Sequence, residues 1–65
     1  MSTTRTANAI REDLRGERAD IARYEGQQQA RRKAGLAHDG LLLALAIYTR
    51  ARIRDLEREL GETAS

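Results

Sequence analysis

At 65 residues and 7.3 kDa the chain has room for one domain at most. It carries no Cys, Pro, Phe or Trp, which excludes a disulfide framework, a thiol nucleophile and a Cys-ligated metal. Twelve basic residues against ten acidic ones give a formal charge of +2, a weaker excess than dedicated nucleic-acid domains show.

Eleven alanines, with Leu and Ile as the large aliphatics, form a helix-former's palette. The Val, Thr and aromatic residues that strands favour are scarce. The start, Met1-Ser2-Thr3-Thr4-Arg5, opens no apolar segment. A cytoplasmic location is therefore expected. Residues 1–4 are polar and expected to fray.

Thr4 or Thr6 suits the cap of a first helix. From there Ala7, Ile10, Leu14, Glu17, Ile21, Tyr24 and Gln28 recur by threes and fours, the spacing of one helix face. Gly16 and Gly26 each cost about 1 kcal/mol against Ala inside a helix. Even so, one long helix over about 5–34 is preferred to a break at Gly26, which would give a three-helix monomer.

Gly35-Leu36-Ala37-His38-Asp39-Gly40 reads as a stop and a restart. Gly35 suits a left-handed C-cap. Arg31, Arg32 and Lys33 would face the negative end of the helix dipole, and Asp39 suits an N-cap. The turn is placed at about 35–39 and the second helix at about 40–60. Gly61 reads as a second stop, with residues 61–65 frayed.

The second seam is Leu42, Ala46, Thr49, Ile53, Leu56 and Leu60. Carrying the first helix's heptad forward would put Leu42 and Thr49 at a, whereas their own seam puts them at d. That slip favours two helices over one rod, and the short turn favours an antiparallel hairpin. The fold expected is all-α. Its core is expected to draw on Ile10, Leu14, Ile21, Leu42, Leu45, Ile53 and Leu56.

The second helix carries the sharper signal. Leu41, Leu42, Leu43, Leu45, Ile47 and Tyr48 cover every side of it within the eight-residue run Leu41–Tyr48. That run is far below the roughly 20 residues a membrane span needs. A helix apolar all round must be buried all round. Its neighbour in a hairpin would be residues 28–35, which offer alanines and charged stems but no large apolar partner.

A second chain is therefore expected to cover Leu41, Leu43, Ile47 and Tyr48. The simplest form is a symmetric homodimer of hairpins, a four-helix bundle with the second helices central. First and second helices of about 45 and 31 Å would leave Ile10 and Leu14 overhanging, free to grip the partner. A larger protein partner is the other occupant such a face admits.

His38 beside Asp39 lacks the convergent ligands a metal site needs, and reads better as a cap or dipole partner. No phosphate loop, nucleophile elbow or His-based triad is present. No catalytic, cofactor or metal residue is assigned, and an enzyme is not expected.

The arginines support a second class of function. Arg31, Arg32 and Lys33 close the first helix, while Arg50 and Arg54 begin a strip along the second; each group could track phosphates. Nearby acids partly neutralise these strips, and stacking aromatics are few. A helix-turn-helix fits poorly, because its recognition helix would open on Leu41-Leu42-Leu43. Small dimeric helical hairpins that bind plasmid RNA share the expected architecture, an analogy of fold without a motif. The expected function is thus a non-enzymatic interaction module that self-associates and binds protein through the Leu-rich helix. The alternative is a nucleic-acid-binding regulator.

Overall fold

The computed structural model describes residues 6–64. Two helices, α1 (Ala7–Lys33) and α2 (Gly40–Ala64), pack against each other as a hairpin, with no strand among the described residues. Of the two candidate caps, Thr6 opens α1. Its Oγ1 accepts from the Ala9 backbone N–H at 3.2 Å, and Thr4 lies outside the described residues. α1 runs unbroken through Gly16 and Gly26, which rules out the three-helix alternative.

Gly35 ends α1 at φ +75°, a region that glycine enters without a Cβ penalty. The Leu36 N–H reaches the Arg31 carbonyl at 2.9 Å, and the Gly35 N–H reaches the Arg32 carbonyl at 3.0 Å. This is the double closure of a Schellman cap. Asp39 opens α2: its Oδ1 accepts from the N–H groups of Leu41 and Leu42 at 2.9 and 3.2 Å.

Both seams point inward. Leu14 and Ile10 are buried on α1, with Glu17, Ile21, Tyr24 and Gln28 half-buried along the same line. On α2, Ala46, Thr49 and Leu56 are buried, with Leu42, Leu45, Ile53 and Leu60 half-buried. The fully buried cluster is Ile10, Leu14 and Leu56, with Ile53 and Leu60 packed on it.

Two expectations are corrected. α2 does not stop at Gly61 but continues to Ala64. Gly61 does not take the positive φ a terminating glycine requires, and Thr63 Oγ1 donates to the Glu59 carbonyl at 2.9 Å one turn back. The expected overhang is absent, because Leu56, Ile53 and Leu60 pack with Ile10 and Leu14. With helices of 27 and 25 residues, Ile10 and Leu14 lie in the hairpin's own core, not free for a partner. The expected fraying of residues 1–4 lies outside the described residues.

Candidate functional site

The large apolar side chains divide by position around α2. Leu42 and Leu45 fall on the inward side and are half-buried. Leu41 is 70% exposed, Leu43 42%, Ile47 56% and Tyr48 69%. Ala44 within this stretch and Ala51 just after it are exposed as well. The outer surface of the first three turns of α2 is therefore apolar, and α1 does not cover it. The reason is geometric. One neighbour shelters about a third of a helix's circumference, and the inner third is already taken by Leu42, Ala46 and Thr49.

The surface of α1 is of a different kind. Outside its seam it presents mainly Arg, Glu and Gln, with the small Ala9, Ala19, Ala22 and Ala30 among them. Pairs along and between the helices satisfy much of this charge: Arg18–Glu57 at 3.0 Å and Arg50–Glu25 at 2.7 Å bridge the two, and Arg23–Asp20 at 3.1 Å lies within α1. Arg23 also sits over the Tyr24 ring, 5.5 Å from its centroid. All of these pairs are solvent-exposed and individually weak.

The five basic residues singled out from sequence do not act alike. Arg31 is half-buried, and its Nε donates to the Ala37 carbonyl at 3.0 Å, tying the turn to α1. Arg50 is held by Glu25. Arg32, Lys33 and Arg54 are exposed. Arg32 and Arg50 rim an open groove of about 290 Å³ between the helices near the turn, lined also by Tyr24, Gln28, His38 and Leu43. Arg54 does not line it.

One residue that sequence reasoning passed over organises that end of the molecule. Gln28 Nε2 donates to the Asp39 carbonyl at 2.8 Å, and Gln28 Oε1 accepts from the Asp39 N–H at 3.1 Å. Its second amide hydrogen points at His38 Nε2, 2.9 Å away. His38 is thus a partner of the clamp, where a cap or dipole role was expected. The available signal was Gln28's place on the apolar stripe, about one and a half turns before the loop, where a polar residue needs a partner.

Among the described residues no three His, Asp or Glu side chains converge as metal ligands, and no helix is long and apolar enough to cross a membrane. No family model, no curated protein and no solved structure matches the chain.

Proposed function

We propose that this hairpin is an interaction module whose working surface is the outer face of α2, and that its first partner is a second copy of the same chain. The observation that carries this reading is the exposure of Leu41, Leu43, Ile47 and Tyr48 together on one short stretch of helix. Those four side chains leave on the order of 500 Å² of largely apolar surface in water, the upper range for a typical monomer's largest patch. A standard interface uses about 800 Å² per partner.

Size and shape support the same reading. The chain exposes 4956 Å², against about 4,200 Å² for a compact monomer of its mass. Its radius of gyration is 15.1 Å, against about 11 Å for a compact chain of this length. A lone pair of helices has one shared seam and no second layer. Docking two hairpins with the α2 helices central supplies the second layer and gives a four-helix bundle.

Substituting Ile47→Glu tests the reading. Ile47 is 56% exposed in the single chain, so the charge meets water in the monomer and desolvation in the complex. Sedimentation should show loss of association, while Ala22→Glu on the exposed face of α1 leaves it intact. Association unchanged by Ile47→Glu would remove the α2 face as the working surface.

The exposed basic residues Arg32, Lys33 and Arg54 favour one second reading, a regulator that binds nucleic acid. An electrophoretic shift with structured RNA or duplex DNA at low salt, weakening as salt rises, is its signature. No shift at low salt removes it.

A further inference from the structure

We infer that the two copies join through the outer sides of antiparallel α2 helices, about a two-fold axis level with position 46, so that Leu41 packs on Ala51 of the second copy and Ala44 on its Tyr48. This rests on the self-association proposed above and adds its direction and register. The exposed residues Leu41, Ala44, Tyr48 and Ala51 are spaced three, four and three apart, which is the spacing of a coiled-coil seam. Along that seam the sizes alternate large, small, large, small.

A parallel pairing matches like with like. Tyr48 would meet Tyr48, and Ala44 would face Ala44 across a gap. An antiparallel pairing matches every large side chain with a small one, which is how facing layers interdigitate without voids. Each matched pair of positions is centred on 46, so a single two-fold axis satisfies all four contacts at once. Ile47 then lies beside the axis, flanking the same residue of the second copy.

Charge selects the same direction. The apolar face ends at Ala51, where Arg52 and Arg54 are exposed; Arg50 beside them is held by Glu25. Parallel packing would set this cationic cluster beside its own copy, and like charges at close range repel. Antiparallel packing sets it beside the start of the other α2, where the carboxylate of Asp39 caps the helix.

A single distance distinguishes the arrangements. The chain has no cysteine, so Gly61→Cys gives one labelling position. Gly61 is exposed, and a Cβ there meets nothing within 4 Å. Nitroxides at that position, measured by double electron–electron resonance on the full chain, should lie about 45 Å apart in the antiparallel pair, being 15 residues on either side of the axis. Separations within about 20 Å would mean parallel helices and would overturn the register while leaving self-association standing. An absent dipolar signal, in a sample that sediments as a folded monomer, overturns both.

Discussion

The carboxamide of Gln28 pairs with the backbone of Asp39 as a neighbouring strand would, its Nε2 2.8 Å from the carbonyl oxygen and its Oε1 3.1 Å from the nitrogen. These contacts join α1 to the residue that precedes α2, and they hold Asp39 where its own carboxylate caps α2. Replacing Gln28 with Ala removes both bonds at a part-buried site. The expected loss is about 1–2 kcal/mol. Thermal unfolding at fixed protein concentration reads it as a fall of roughly 4–8 °C per kcal/mol for a domain of this size. Gln29→Ala, one position on and exposed, should change little.

The glycines give substitutions of opposite sign. Gly35→Ala places a Cβ at φ +75° and should destabilise by about 1 kcal/mol. Gly16→Ala and Gly26→Ala lie within α1, where the added Cβ meets nothing within 4 Å. Each should stabilise by up to about 1 kcal/mol. Urea titrations followed by circular dichroism report all three, and a destabilising Gly26→Ala would contradict the unbroken α1.

The interhelical ion pairs should contribute little. Arg50 and Glu25 are 2.7 Å apart, yet their side chains are 49% and 57% exposed. A double-mutant cycle through Arg50→Ala and Glu25→Ala should give a coupling below about 1 kcal/mol that shrinks with added salt. A larger, salt-insensitive coupling would mean that this site is desolvated, as it would be if a partner covered the turn end of the hairpin.

Much of this arrangement is legible in the amino-acid sequence because it depends on local spacing. The three-and-four recurrence from Ile10 to Gln28 and from Leu42 to Leu60 identifies both buried faces, and Thr6, Gly35 and Asp39 sit where their chemistry suits a helix end. The exposure of Leu41, Leu43, Ile47 and Tyr48 follows from the same count, since one neighbour cannot surround a helix. The end of α2 is not legible in this way. A glycine near a C-terminus is compatible with both a stop and a continuation, and only its φ decides between them. Gly61 does not take a positive φ, and α2 runs on to Ala64. The Gln28 clamp was hidden for another reason. It joins a side chain to a backbone 11 residues away, and no periodicity encodes that contact.

Capping gives a further check on the turn. Asp39→Ala should cost about 1 kcal/mol through the lost bonds to Leu41 and Leu42. Combined with Gln28→Ala, the losses should not add, because the two residues hold one another in place. Strict additivity in equilibrium unfolding would show that clamp and cap act separately.

The central claim, that the outer face of α2 needs a second copy to cover it, is tested most directly by the solution mass of the unmodified chain. Sedimentation velocity across a dilution series in the micromolar range should give twice the 7.3 kDa chain mass at the concentrated end, with dissociation on dilution. A helical, cooperatively folding species of 7.3 kDa at every concentration would contradict it.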